Sequence, residues 1–178
     1  MPWPLRRHLG HLLEHRKQPF AQAEAIQWGD QLLGALEYLH KQFPPVIHRD
    51  IKPQNLKLTG ENEIILLDFG LAKSAPSQVS TVSSSDSIYG FTRGYASLEQ
   101  IRGLGTDPRS DLYSLAATLY HLMTGQPPID ALIREDAIRN HQPDPLRPAN
   151  ELNPQVHPDV AALLKQVMAL EPSHRHAV

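Results

Sequence analysis

The stretch that most restricts what this chain can become is His48-Arg49-Asp50-Ile51-Lys52-Pro53-Gln54-Asn55, followed after a spacer by Asp68-Phe69-Gly70. Four residues separate Asp50 from Asn55, a spacing that lets a loop turn two side chains toward one point. The flanks read as strand. Val46-Ile47 is a short apolar run ahead of the loop, and Leu56-Lys57-Leu58 and Ile64-Ile65-Leu66-Leu67 bracket the turn Thr59-Gly60-Glu61-Asn62-Glu63. Such a hairpin carries Asn55 at one strand entrance and Asp68 at the other exit. It therefore gathers a base, a carboxamide and a second carboxylate on one rim. An ordinary turn would use Asp50 and Asn55 without requiring the rest of the string.

The stretch resembles the catalytic loop of a protein kinase, and Asp68-Phe69-Gly70 resembles its magnesium-binding motif. The resemblance implies ATP and Mg²⁺ as cofactors and a protein Ser or Thr hydroxyl as acceptor. Phosphoryl transfer leaves little covalent work to the protein, so positioning and charge neutralisation dominate. Asp50 would accept the proton of the substrate hydroxyl. Asn55 and Asp68 would hold Mg²⁺, which favours hard oxygen ligands and keeps several waters. Lys52 would sit beside the transferring phosphate as a point charge, and a Lys there points to the serine/threonine rather than the tyrosine class. His48, Arg49, Phe69 and Gly70 would occupy structural or regulatory positions around this centre.

Composition permits one globular domain and argues against some partners. With 178 residues and 40% hydrophobic content, a sizeable core can form. A net charge of −2 gives no electrostatic case for nucleic acid or an anionic membrane. The absence of cysteine fits a cytoplasmic protein. No run approaches a membrane span, and the N-terminus lacks the apolar core of a signal peptide.

Residues 5–14 read as a short helix, stopped by Arg16-Lys17-Gln18-Pro19. Its His11-Leu12-Leu13-Glu14-His15 matches the pattern of inverted zinc peptidases. Three fixed letters in a chain with ten histidines read more simply as a solvated polar face. Residues 21–43 form the best amphipathic helix of the first half, with Ile26, Leu32, Leu33, Leu36, Leu39 and Phe43 at helical steps.

Residues 74–90 are rich in serine and poor in large apolar groups, so burial cannot offset their ordering entropy and the segment is expected to be mobile. It stands where kinases keep the activation segment, and a phosphate there would pair with Arg49. Gly90 to Gln100 resembles the substrate-docking loop, with Thr92 beside Asp50 and Lys52. Glu99 would seek Arg175 as a buried partner. Asp107-Pro108 opens a helix running to about Thr124, largely apolar all round and hence central. At its start, Asp111 would accept backbone N–H groups of the catalytic loop. Further helices are expected near 129–140 and 158–170, the second burying Val160, Leu163, Leu164 and Val167.

The resemblance runs from about Leu5 to Arg175 and covers only the larger lobe. The expected fold is mainly α with a small β-hairpin, a kinase C-terminal lobe with the N-terminal lobe absent, so that 1–178 is a partial kinase domain stopping short of a further helix. No G-x-G-x-x-G or V-A-I-K string occurs, and Lys17 and Lys41 are the only lysines ahead of the catalytic loop. Several electrostatic donors are thereby missing, each typically worth about 10²–10³ in rate, so the isolated chain is expected to be weakly active or inactive. The alternative is a non-catalytic fragment or pseudokinase that binds a partner through the exposed interface. Some residues depart from the family pattern. Ser97-Leu98 replaces Ala-Pro before Glu99, Phe91 occupies a position often held by Gly, Tyr113 and Ala116 stand where Trp and Gly are frequent, and Lys57 replaces the apolar floor beneath adenine.

Overall fold

A computed structural model describes residues 7–16, 18–67 and 94–175. Asp68, Phe69, Gly70, Thr92 and the 74–90 segment lie outside them. The elements in order are β1 (Arg7–His8), α1 (Leu9–His15), α2 (Gln22–His40), a 3-10 turn (Pro53–Asn55), β2 (Leu56–Leu58), β3 (Ile64–Leu66), α3 (Leu98–Ile101), α4 (Pro108–Thr124), α5 (Ala131–Arg139), α6 (Ala149–Leu152), α7 (Pro158–Val167) and a second 3-10 turn (Pro172–His174).

Helix α4 is the axis of this mainly helical body. Asp107 caps it by accepting the Arg109 amide, Pro108 opens its first turn, and Gly125 closes it in the left-handed region at φ 74°. Leu112, Tyr113, Leu115, Ala116, Ala117, Tyr120, Leu122 and Met123 are all buried. Helix α2 packs across it through Ala25, Trp28, Gly29, Leu32 and Leu36. The small residues decide this contact: a methyl group at Gly29 would stand 3.0 Å from Leu119 Cδ1. Small residues thus bring α2 close to α4, and the buried face is rotated from the one the larger apolar residues suggested. Ile26, Leu33 and Phe43 are exposed, and α2 ends at His40 rather than near Phe43.

The β2–β3 hairpin forms with Leu56 opposite Leu66, Lys57 opposite Ile65 and Leu58 opposite Ile64. Thr59 Oγ1 accepts the Glu61 and Glu63 amides across the turn, where Asn62 adopts φ 63°. Asn62 ties the turn to α2, accepting from Trp28 Nε1 and donating to Gln27 Oε1. Two details differ from expectation. Residues 7–8 pair as a third, antiparallel strand with Lys57 and Leu58, so the first helix begins only at Leu9. That pairing spans fifty residues of sequence, which local periodicity does not register. Val46-Ile47 joins no strand; Val46 N–H donates to the Leu39 carbonyl, and Ile47 is buried.

Helix α5 is tethered by Arg134, whose side chain is 2% exposed. Its guanidinium forks onto Asp144 at 3.0 and 2.7 Å and donates to the Met168 carbonyl at 2.8 Å. Buried charge is tolerated here because Asp144, the Met168 carbonyl and the Tyr113 hydroxyl engage the guanidinium on several sides. In α7, Ala161 and Leu164 are buried while Leu163 is exposed, which narrows the apolar side read from sequence. No helix among the described residues is long and apolar enough to cross a membrane.

Candidate active site

The loop 48–55 closes on itself. Asn55 Nδ2 donates to the Asp50 carbonyl at 2.8 Å and to Asp50 Oδ2 at 2.7 Å. Lys52 Nζ lies 2.9 Å from the same Oδ2. The Asn55 amide donates to the Lys52 carbonyl at 2.9 Å, which forms the 3-10 turn. Pro53 at its first position suits the fixed φ of that turn. The structure thus brings Asp50, Lys52 and Asn55 together, with the carboxylate between an ammonium and an amide.

His48 is fully buried and ties the loop to the hairpin. Its Nδ1 accepts the Asp50 amide at 3.3 Å, which assigns the proton to Nε2, and Nε2 donates to the Leu67 carbonyl at 3.2 Å. Leu67 N–H in turn donates to the Asn55 carbonyl at 2.8 Å. The residue immediately before Asp68 is therefore clamped to the loop through both of its backbone groups.

Asp111 holds the loop from below. Its Oδ2 accepts the His48 amide at 2.9 Å, and Oδ1 accepts the Arg49 amide at 2.8 Å. Its side chain is 0% exposed, and His40 Nε2 approaches Oδ2 at 2.8 Å. These bonds fix Arg49 at φ 70°, a left-handed conformation costly for a residue with a Cβ. Gln100 Nε2 donates to the Arg49 carbonyl at 2.6 Å, and Arg49 Nε donates to Thr106 Oγ1 at 2.8 Å. Thr118 Oγ1 reaches the Ile51 carbonyl at 3.3 Å. His40, Gln100, Thr106 and Thr118 were not singled out from sequence, because a polar residue, whether at a helix end, in a loop or within a helix as Thr118 is, carries no periodic signal of what it touches.

Glu99 and Arg175 meet through a two-pronged contact. Nη1 to Oε1 is 2.7 Å and Nη2 to Oε2 is 3.1 Å. Ser110 Oγ adds a bond to Oε1 at 2.7 Å. Arg175 also donates to the Ala169 and Leu170 carbonyls and lies over the Tyr113 ring at 5.0 Å. Burial alone would raise the Glu99 carboxyl, but hydrogen bonds led by Arg175 and Ser110 outweigh it and hold the group below its ordinary value of 4.5. Replacing Arg175 with Met is expected to destabilise the fold by roughly 3–5 kcal/mol, because it strands a buried carboxylate. Chemical denaturation of R175M and of the double variant E99Q/R175M measures this; the double variant should recover much of the loss.

Glu99, Asp107 and Asp144 all lie below their ordinary carboxyl values. Each therefore binds fewer protons in the folded than in the unfolded chain. Their contribution is complete above the ordinary values and is lost as pH falls through the folded ones. The melting temperature should therefore drop steadily below about pH 4.5, and E99Q should flatten part of that slope.

Lys57 lies on β2 with His8 and Ile65 as its cross-strand neighbours. In α1, the His11 and His15 rings stack at 4.0 Å, and His15 Nδ1 lies 2.8 Å from the His11 carbonyl. Among the described residues, no group of three or more His, Cys, Asp or Glu side chains is placed to hold a metal. Asp68 is outside that set, and Asn55 is not of those types.

The family comparison decides what this assembly is. The sequence profile of the protein kinase domain matches residues 5–178. The chain belongs to the protein kinase family. The serine/threonine-protein kinase PknB of Mycolicibacterium smegmatis is 32% identical over 91% of this chain and 25% of its own length. A probable serine/threonine-protein kinase of Clostridium perfringens, CPE1738, is 36% identical over 85% of this chain and 22% of its own. The PknI kinase domain of Mycobacterium tuberculosis superposes with a TM-score of 0.66 at 26% identity, covering 98% of this chain and 58% of that one. The chain thus spans about a quarter of the length of these curated relatives. It corresponds to the larger, mostly helical lobe of a protein kinase domain and is similar to these bacterial serine/threonine kinases. Within this kinase lobe, Tyr113 supplies the ring beneath Arg175, and Leu98, in the Ser97-Leu98 pair that replaces Ala-Pro, is buried at the head of α3.

Proposed function

We propose that this chain supplies the catalytic lobe for phosphoryl transfer from ATP, with Mg²⁺, to Ser or Thr hydroxyls of a protein substrate in the cytoplasm. The observation that carries this reading is the convergence of Lys52 Nζ and Asn55 Nδ2 on Asp50 Oδ2 at 2.9 and 2.7 Å. One carboxylate oxygen is held in place by donors. The other accepts no hydrogen bond among the described residues and would accept one, and then the proton, from an incoming hydroxyl. Lys52 balances the negative charge that gathers around the acceptor.

Asn55 fits the role of a metal ligand. Among the described residues its side-chain bonds both use Nδ2, leaving Oδ1 as the hard oxygen that Mg²⁺ favours. Asp68, one residue beyond the clamped Leu67, is the second ligand in this reading. The metal–nucleotide complex, when bound, supplies the transferable phosphoryl group and neutralises its charge. Residues 1–178 act as a partial kinase domain in which 74–90 is the activation segment and Thr92, by resemblance, would hydrogen-bond near Asp50 and Lys52. Phe69 and Gly70 complete the metal loop, and Arg49 receives a phosphate placed on that segment.

Because the glycine-rich loop and its lysine are not in this chain, the lobe alone is weakly active or inactive. Thermal melting with Mg-ATP tests nucleotide binding directly, and radiolabelled phosphate transfer with a relative's small lobe added tests chemistry. A rise in melting temperature together with transfer supports the reading. No shift and no transfer would favour a non-catalytic lobe that binds a partner.

A further inference from the structure

Arg102-Gly103-Leu104-Gly105-Thr106 joins α3 to α4. Its two glycines adopt left-handed backbone at φ 65° and 95°, and a Cβ on either would meet nothing within 4 Å. They shape the loop without packing it against the body. Leu104, between them, is 74% exposed. The Gly103 and Leu104 amides return to the Gln100 and Glu99 carbonyls, whereas those of Gly105 and Thr106 meet no backbone carbonyl among the described residues. The last part of the loop is therefore tethered by the side chain of Thr106.

Arg49 Nε donates to Thr106 Oγ1 at 2.8 Å. The backbone of Arg49 is pinned on both sides, its amide by Asp111 and its carbonyl by Gln100, so the guanidinium reaches this hydroxyl from a fixed base. The next residue in the chain is Asp50. A guanidinium presents a planar fork that matches the oxygens of phosphate, and a threonine hydroxyl meets only one prong of it. Thr106 is half-buried, in reach of solvent. The neighbouring carboxylate, Asp107, is already engaged by Arg109, with Nη2 2.6 Å from Oδ2.

We propose that Thr106 is a phosphorylation site whose phosphate is received by the Arg49 guanidinium, so that the modification pins the α3–α4 loop to the catalytic loop beside Asp50. In the modifying step Thr106 Oγ1, swung outward at Gly105, attacks the terminal phosphorus of a nucleoside triphosphate held by a protein kinase. The P–Oγ1 bond forms, the bond from that phosphorus to the departing nucleoside diphosphate breaks, and the hydroxyl proton passes to the carboxylate base of that kinase. The threonine phosphate carries a charge of about −1.5 to −2 at pH 7 and three acceptor oxygens. When the loop swings back, these stand on the atom that Arg49 already meets, and a bond to a neutral hydroxyl becomes a salt-bridged, forked one. Because Arg109 balances Asp107, that carboxylate opposes the phosphate less. None of this requires the present chain to transfer phosphate itself.

Two measurements on the 178-residue chain test this. In the first, the chain is incubated with Mg-ATP and the separate, active kinase domain of PknB, and the phosphate is mapped. It should appear on Thr106, and the signal of that peptide should vanish in T106V. In the second, which needs no kinase, phosphothreonine is installed at position 106 during synthesis and its ³¹P signal is titrated. Arg49 should weaken binding of the last phosphate proton about tenfold or more, moving the midpoint below its ordinary value of about 6. R49Q should restore that midpoint, and R49K should fall between. The free phosphopeptide of residues 102–109, which lacks Arg49, supplies the reference even where R49Q fails to fold. Amide exchange across 102–106 should also slow in the phosphorylated chain and not in its R49Q form. A midpoint equal to that of the free peptide would overturn the proposal, since the phosphate would then lie on the surface away from Arg49. Thr106 left unmodified in the first measurement would overturn it as well.

Discussion

Asn in place of Asp50 should lower phosphoryl transfer by about 10²–10⁴-fold, the usual contribution of a positioned general base, with a small lobe supplied. The substitution keeps the volume and an oxygen toward Lys52 Nζ, now 2.9 Å from Asp50 Oδ2, but removes the charge that, in the proposed reading, would take the hydroxyl proton. In the proposed reading Asn55, not Asp50, would hold the metal through Oδ1, which makes no hydrogen bond among the described residues, so Mg-ATP should still raise the melting temperature of D50N. Single-turnover transfer alongside thermal melting separates the two effects. Transfer undiminished in D50N would move the base elsewhere. A lost thermal shift would mean that Asp50 serves binding.

The second large effect lies one shell further in. Asp111→Ala leaves the His48 and Arg49 amides without their acceptor in a site closed to water, and each such orphan costs about 1–3 kcal/mol. A total loss of roughly 2–6 kcal/mol corresponds to a fall of about 5–20 °C in melting temperature for a chain of this size. Arg49 would also be released from φ 70°, so the amides of 48–51 should exchange with solvent much faster in D111A. Asp111→Asn keeps one oxygen acceptor and should fall between. Denaturation combined with hydrogen exchange measures both, and a loss under about 1 kcal/mol would show that the loop holds its shape without this carboxylate.

The contrast between what was readable in the sequence and what was not follows from the physics of each feature. The hairpin, α4 and the helix ends at Asp107 and Gly125 rest on local rules, namely alternation, capping and left-handed glycine, and these are written in short windows. The facing of α2 is legible only in part: Leu32 and Leu36 are buried as their spacing suggests, but Ala25 and Gly29, not the larger Ile26 and Leu33, complete its seat on α4, where closeness of approach outweighs side-chain size. Strand β1 depends on a partner fifty residues away, and Arg134 on Asp144 and the Met168 carbonyl, so neither leaves a local trace. In the site, the string from His48 to Asn55 named the residues that converge. It was silent on His40, Gln100, Thr106 and Thr118, which support the loop from separate segments.

His48 and Asp111 have no exposed surface, whereas Asp50 keeps 16% of its side chain open. The scaffold and the chemistry therefore bear unequal mutational risk. A lineage released from selection for catalysis would shed Asp50 early, since its loss spares the core, and would keep His48 and Asp111 for as long as the lobe had to fold. Genetic drift in such lobes should thus erase the reactive oxygen first and the buttress last. In this chain all three still stand.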